Sequence, residues 1–324
     1  MKRRALLAAF AVLSAAVLPG GAWSAEYPNR VIKIIVPFAP GGGTDVIARI
    51  FSAFMANHLK QNVIIENRPG AAGLIGAGDV AKSRPDGYTL LFTPQNTITI
   101  APYLDHPISY KPDKDLIPIA MVAEQPIIFA ANDKLPVKDL DEFVRFAKSH
   151  PGKFNYGSPG LSTELNLTVE ILKQRAGINI VHIGYRGGAP AINALLRNDI
   201  QMLPVVPSSI GPFIKSGKVK ALATTAPRRL SEFPDIPTTK EQGYPEVNIV
   251  PWWGVFVPAG TPQAVIDSLQ SAVSALLKNS KYREKLEAMS VEPTAILSRP
   301  FSKMLADQTK RWGEVIKKAG LRLQ

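Results

Sequence analysis

Three glycine-bearing turns carry the residue types best suited to hold an anion. The first turn reads PFAPGGGTD (37–45) and lies between an apolar run, VIKIIV, and a segment with helical periodicity. Consecutive glycines there cost conformational entropy, which indicates that something must approach the bare backbone closely. The backbone N–H groups of such a turn and the N-terminus of the next helix form a positive concavity. We expect Thr44 or Asp45 to cap that helix.

The second and third turns repeat this arrangement further along the chain. NYGSPGLST (155–163) and GYRGGAPA (184–191) each follow a predicted strand and precede a predicted helix. The second turn supplies backbone donors and hydroxyl groups from Gly157, Ser158, Gly160, Ser162 and Thr163. Arg186 in the third turn is a natural partner for a carboxylate, because a guanidinium forms bidentate hydrogen bonds. The set favours a cleft that closes on a small anion; the alternative is three tight turns that bind nothing.

The residues that could carry catalysis or bind a metal form a weaker pattern. No two of the four histidines have the spacing of a metal site: His58, His106, His150 and His182. Ser158 lies in YGSPG, which is not the G-x-S-x-G elbow of hydrolases. A triad of Ser158, His182 and an acid stays open as an alternative. The glycine-rich segment at 67–78 is neither a dinucleotide fingerprint nor a P-loop, and no cofactor is implied.

Composition and charge limit the class of protein. The chain has 324 residues, enough for two domains, and no cysteine, which excludes disulfides and thiolate metal sites. The net charge of +12 suits anionic partners, but Lys and Arg are dispersed, so we expect no nucleic acid partner. Residues 1–25 combine a basic start, an apolar stretch and small residues, which predicts a secretory signal peptide and a periplasmic protein.

The elements that must position these turns are short apolar runs alternating with amphipathic segments. This pattern predicts an α/β fold with parallel sheets covered by helices on both faces. The alternation runs twice, over about 26–124 and 126–225, which predicts two α/β lobes. The helical tail is expected to pack on the first lobe. Its docking face is formed by Phe301, Leu305, Trp312 and Ile316, which recur at helical spacing.

Several ordered stretches of the chain resemble the Bug family, the periplasmic solute-binding proteins of tripartite tricarboxylate transporters. The resemblance covers essentially the whole mature chain and rests on YPNRVIKIIVPFAPGGGTD, VIIENRPGAAGLIGAGDVAKSRPDGYTLL, FNYGSPGLST, HIGYRGGAPAINALLRNDIQ and WWGVFVPAGTP. It implies a type II periplasmic-binding-protein fold, in which two α/β lobes are joined by two crossover strands near 124–126 and 246–251. Lobe 1 would comprise 26–124 plus 249–324, and lobe 2 would comprise 125–248.

The resemblance also implies which residues grip a ligand carboxylate. The first-lobe grip would be formed by Phe38, Gly42, Gly43, Thr44 and Asp45, with Asn96 also facing the cleft. The opposing grip would be formed by Gly157, Ser158, Ser162, Thr163, Gly188 and Ala189. Arg186 stands where the family often has Lys, and it would either contact a second carboxylate or face solvent. Glu164 stands where the family often has His, and it would oppose an anion at the cleft mouth.

Two aromatic positions could serve either the core or the pocket. Phe38 and one of Trp252 and Trp253 lie near predicted strand ends, where they would either pack in the core or line the pocket.

The function implied by the resemblance is capture of a small organic carboxylate, whether a di- or tricarboxylate or an aromatic one, for a membrane permease. A ligand that bridges the lobes would stabilise the closed state, which the permease recognises. Two alternatives stay open. The chain could be an exported α/β hydrolase that uses Ser158, or a ligand-presenting partner of a membrane sensor.

Overall fold

The computed structural model describes residues 27–105 and 107–318, so the predicted signal peptide at 1–25 lies outside the described residues. The strands are β1 (Ile32–Val36), β2 (Val63–Asn67), β3 (Thr89–Pro94), β4 (Leu116–Glu124), β5 (Ile128–Asn132), β6 (Asn155–Ser158), β7 (Val181–Gly184), β8 (Met202–Val205), β9 (Val219–Thr224), β10 (Trp252–Pro258) and β11 (Glu292–Leu297). The helices are α1 (Gly43–Leu59), α2 (Leu74–Ala81), α3 (Pro112–Asp115), α4 (Leu140–Ser149), α5 (Glu164–Ala176), α6 (Gly188–Leu196), α7 (Pro207–Lys215), α8 (Gln263–Leu277), α9 (Ser280–Glu287) and α10 (Ser298–Lys318). Shorter helical turns lie at Ala71–Gly73, Asn96–Ile100 and Ala101–Tyr103.

The strands form two sheets, as the α/β prediction requires. The first sheet has the order β11-β4-β10-β3-β1-β2, and the second has the order β7-β6-β8-β5-β9. Helices cover both sheets, and each sheet has its own buried apolar clusters. The chain is therefore an α/β protein with two sheet-centred lobes.

The predicted parallel pairing holds for part of each sheet, and both sheets are mixed. β10 and β11 in the first sheet and β5 in the second run antiparallel to the strands beside them. β1 pairs in parallel with β2 and β3, but β10 runs antiparallel to β3 and β4. Likewise β6 pairs in parallel with β7 and β8, but β5 runs antiparallel to β8 and β9. β5 and β10 are the strands that the chain enters on arriving from the other sheet. Each starts at the end of the sheet where its neighbours finish.

The chain crosses between the sheets twice, after β4 and before β10. The Gln125 N–H donates to the Pro251 carbonyl at 2.9 Å, which joins the two crossings side by side. The Thr225 hydroxyl accepts the Ile127 N–H at 2.9 Å and donates to the Ile249 carbonyl at 2.7 Å. Neither crossing, at 125–127 or 249–251, belongs to a strand.

The tail packs on the first sheet, as predicted. The Phe301 ring is fully buried and meets the Trp252 ring edge-on, with centroids 5.5 Å apart. Trp312 and Ile316 are also buried, and their cluster includes Leu167 of α5, so α10 contacts the second lobe as well. The edge strand β11 was not predicted, since Pro293 near its start disfavours a strand and only its last three residues are apolar. None of the helices in the described residues is long and apolar enough to span a bilayer.

Candidate functional site

The facing loops of the two sheets enclose a cavity of about 40 Å³. A buried water needs roughly 10–15 Å³, so this space fits a carboxylate group or a few waters. The residues that line it come from both lobes: Phe38, Gly42, Gly43, Thr44, Pro94, Pro159, Thr163, Glu164, Leu165, Gly188, Val205, Val206, Ser209 and Trp253.

Four helices begin at this cavity. The first residues of α1, α5 and α6 and the residue preceding α7 are all among its lining residues. The first N–H groups of a helix have no partner within the helix, and the helix dipole places partial positive charge there. No side chain caps α1, α6 or α7. These N-termini therefore place partial positive charge at the cavity, and no Lys or Arg among the described residues lines it.

Gly42 and Gly43 are needed because the second lobe lies against them. A Cβ on Gly42 would stand 3.3 Å from the Gly188 nitrogen. A Cβ on Gly43 would stand only 2.3 Å from Cγ2 of Val206, a contact that real side chains do not make. The bare backbone in PFAPGGGTD thus lets the opposite lobe approach closely.

The third turn contacts the first turn directly. The Ala39 N–H donates to the Arg186 carbonyl at 3.3 Å, which links the two lobes through their backbones. Gly187 has φ +148°, a conformation that glycine tolerates best, and a Cβ there would lie 3.1 Å from the Ala39 nitrogen. The Ala189 Cβ would be 3.5 Å from a Cβ on Gly41.

Side chains at the cavity are held by specific hydrogen bonds. The Trp253 indole donates to the Thr44 hydroxyl at 2.9 Å, and both residues line the cavity. Of the two tryptophans considered, Trp253 is thus at the cavity. Thr163 caps α5, because its hydroxyl accepts the Asn166 N–H at 3.3 Å and donates to the Gly160 carbonyl at 2.7 Å.

Asp45 has a different position from the one expected, because its buried carboxylate faces its own loop. Its Oδ2 accepts the Gly41 N–H at 2.9 Å and the Arg49 guanidinium at 2.8 Å, and its Oδ1 accepts the Asn67 amide at 2.8 Å. Burial opposes its ionised form, but these hydrogen bonds outweigh burial and lower the pKa of Asp45. The prediction that Asp45 or Thr44 caps α1 was wrong, because the N-cap is Gly42 and no side chain caps the helix. Asp45 instead fixes the shape of the first turn.

Six of the predicted ligand residues line the cavity: Phe38, Gly42, Gly43, Thr44, Thr163 and Gly188. The other seven do not: Asp45, Asn96, Gly157, Ser158, Ser162, Arg186 and Ala189. Asn96 is buried and its amide donates to the Ala72 carbonyl at 2.7 Å, so it braces the neighbouring turn. Gly157 packs under Tyr185, where a Cβ would lie 3.1 Å from the ring. The Arg186 side chain is exposed, which matches the solvent-facing interpretation.

The structure brings Ser158 and His182 together, with Ser158 Oγ 2.7 Å from His182 Nε2. Burial lowers the pKa of His182 to about 4. Ser158 is fully buried outside the cavity lining, and its hydroxyl also bonds the Gly160 backbone. The nearby Glu170 carboxylate accepts from Tyr156 and Lys173, and no acid bonds His182 within the described part of the chain. The pair braces the second turn and lacks the third member of a triad.

Two buried polar atoms at the cavity have no hydrogen-bond partner within the described residues. They are Glu164 Oε2 and Ser209 Oγ, and both residues line the cavity. The Glu164 side chain is only 4% exposed, and burial raises its pKa to about 7. Unpaired buried polar groups are costly, so a water or a bound ligand is expected to supply the missing hydrogen bonds of these two atoms.

Sequence reasoning missed the fourth turn, which joins β8 to α7. It contributes Val206 and Ser209 but contains no glycine, so the signal used for the other turns is absent. The available signal was VVPSS, an apolar run followed by proline, since proline is common at the first position of a helix. No cluster of three or more His, Asp or Glu among residues 27–105 and 107–318 could hold a metal ion.

Comparison with known proteins shows which family the chain belongs to. Residues 47–321 match the model of the tripartite tricarboxylate transporter family receptor. The chain is 35% identical to the protein BugT of Bordetella pertussis over 92% of each chain. It superposes on the periplasmic binding protein BugD with a TM-score of 0.89 and 32% identity, over 92% of this chain and all of BugD. It also superposes on MatC of Rhodopseudomonas palustris with bound malate (TM-score 0.82, 32% identity, 90% of this chain and all of MatC). The chain belongs to the Bug family of tripartite tricarboxylate transporter receptors.

Proposed function

We propose that this chain is a periplasmic receptor that captures one small organic carboxylate between its two lobes and presents it to a membrane permease. The observation that carries the proposal is the convergence of four helix N-termini from both lobes on one cavity. Such N-termini bind carboxylate groups through backbone N–H donors and the helix dipole. The proposed ligand residues are the predicted ones that line the cavity, together with Ser209 and Trp253.

Two further observations support this function. MatC, a family member of similar fold, is described with bound malate, a four-carbon dicarboxylate. The lobes already touch around the cavity through the Ala39–Arg186 hydrogen bond and the glycine contacts. We propose that 26–124 plus 249–324 moves against 125–248 about the paired crossings, and that a ligand favours the closed arrangement through contacts made only there.

Isothermal titration against malate, adipate, citrate and benzoate tests the function. We expect at least one to bind at a stoichiometry of one per chain and to raise the melting temperature, because ligand stabilises only the folded state. Mass spectrometry of the small molecule that co-purifies with the protein extends the panel. If no carboxylate binds and none co-purifies, the proposed function is wrong.

We also propose that the chain is not an enzyme, although the Ser158–His182 contact resembles part of a hydrolytic site. The Ser158→Ala variant separates the two possibilities. We expect it to bind carboxylate as the native chain does and to hydrolyse no ester or amide beyond background. Turnover by the native protein that disappears in Ser158→Ala would favour the hydrolase. Co-purification of a signalling protein instead of a permease would favour the sensor-partner alternative.

A further inference from the structure

Among the described residues, Glu164 is the only ionisable side chain that lines the cavity, and it stands at the first position of α5. It is 4% exposed, and its Oε2 has no hydrogen-bond partner within the described residues. A buried acid with an oxygen that no protein group bonds is costly, so a hydrogen-bond partner for Glu164 Oε2 is expected when the site is filled.

A bound carboxylate places a second negative charge in the same small cavity. In the part of the chain that the structure describes, no Lys or Arg lines this cavity to neutralise the pair. Two carboxylates that share a site without a cation cannot both ionise, and one of them takes up a proton. The ligand carboxylate faces four helix N-termini, whereas Glu164 has few donors, so the proton goes to Glu164.

On this basis, and resting on the proposed function, we propose that Glu164 carries a proton in the complex and donates a hydrogen bond from its carboxyl group to the ligand carboxylate. Capture then takes one proton from solvent to the Glu164 carboxylate, and no other bond is made or broken. The ligand class is a small carboxylate, one oxygen of which accepts the hydrogen bond from Glu164 at the start of α5. Uptake of the ligand is consequently favoured by acidic surroundings.

Within residues 27–105 and 107–318, the residues that line the cavity include no titratable group besides Glu164. α1 presents Gly43 and Thr44, α6 presents Gly188, and α7 presents Ser209. Asp45 is the nearest acid in α1, and its carboxylate is already held by Gly41, Arg49 and Asn67. On α5 itself, Glu170 pairs with Lys173. Burial, opposed by a hydrogen bond from the Glu164 backbone, raises the pKa of the ligand-free Glu164 to about 7, so proton uptake falls in the neutral range.

The test is titration of malate, adipate and benzoate at pH 6.5 and pH 8.5, where these ligands are themselves ionised. If only the protonated form binds, a pKa of about 7 makes the native affinity fall about 20-fold between these pH values. We expect Glu164→Gln, which is neutral and keeps a donor, to bind with the same affinity at both. Glu124→Gln is the matched control, because burial and Glu292 raise the pKa of Glu124 outside this cavity. It should keep the native pH dependence.

A second measurement needs no variant. Calorimetric titrations of the native protein at pH 8 are run in phosphate and in Tris. Their binding enthalpies differ by the buffer ionisation heat times the number of protons taken up, and we expect close to one proton per ligand. A ligand that binds without pH dependence and without proton uptake refutes this inference and leaves the proposed function standing. A ligand that binds more tightly at pH 8.5 and is lost in Glu164→Gln also refutes it, because Glu164 then acts as an anion. A panel that does not bind at all contradicts the proposed function and this inference together.

Discussion

The Gly43→Ala variant tests whether the glycine loop exists to let the lobes close. Gly43 is the first residue of α1, where alanine fits the helical backbone and stabilises an isolated helix slightly. The conflict arises only across the cleft, because the new Cβ would lie 2.3 Å from Cγ2 of Val206 in the second lobe. Carbon atoms normally approach to about 3.5–4.0 Å, so the overlap exceeds 1 Å.

The size of the effect follows from this overlap. Overpacking of this kind costs about 1–3 kcal/mol, and here the cost falls on the closed state alone. Carboxylate affinity should therefore fall about 5- to 150-fold, since each 1.4 kcal/mol is a factor of ten. The folded lobes themselves should be unaffected, so the melting temperature without ligand should stay close to the native value.

The assay is isothermal titration with the tightest ligand of the panel, together with small-angle scattering of the liganded protein. The matched rescue is Gly43→Ala/Val206→Ala, which removes the Cγ2 atom and should recover most of the lost affinity. Val206→Ala alone should bind nearly as the native chain does. If a folded Gly43→Ala binds and closes as the native protein does, the assignment of this loop to lobe closure is refuted.

Three further changes have expected results of their own. Thr163→Ala removes the α5 cap and should cost about 1 kcal/mol in urea unfolding, whereas Thr163→Ser should cost little; equal loss in both would contradict the capping role. Trp253→Phe removes the hydrogen bond to Thr44 and should weaken ligand binding by about 0.5–1.5 kcal/mol. Trp252→Phe, whose indole bonds Gln308 instead, is its control, and a comparable loss of affinity there would argue against a specific role for Trp253. Glu164→Gln should raise stability at pH 8 but not at pH 4. Burial raises the pKa of Glu164 from 4.5 to about 7. Between pH 4.5 and about 7 the unfolded native chain therefore releases a proton that the folded chain keeps. The native protein thus loses up to about 3 kcal/mol as pH rises through this range, which thermal melts of both proteins would reveal; parallel pH profiles would contradict the assigned pKa.

Local patterns predicted most of the fold. Alternating apolar and amphipathic segments predicted the α/β class, the two lobes and the packing of the tail, because each segment is short and has a clear period. Strand direction was not accessible in the same way. β5 and β10 read like their neighbours, and their reversal depends on which sheet the chain has just left. β11 was not predicted because it contains Pro293. It is stabilised by pairing with β4, a strand distant in sequence.

The candidate site was also only partly predictable from local sequence patterns. Glycine marked the turns where two backbones meet, so Gly42, Gly43 and Gly188 could be found without a structure. Which side chains turn inward could not. Asp45 has the right position in the sequence but bonds its own loop, and Glu164 looked unfavourable for an anion until its burial was known. The direction of a side chain depends on partners that are distant in sequence.

The central claim is that backbone amides from both lobes converge on one carboxylate. A crystal structure of the protein with its carboxylate ligand tests this most directly. We expect one carboxylate group between the N-termini of α1 and α6, with its oxygens about 2.7–3.2 Å from backbone nitrogens of both helices. A ligand bound by only one lobe, or bound outside the cavity that Gly43 and Gly188 line, would contradict the account.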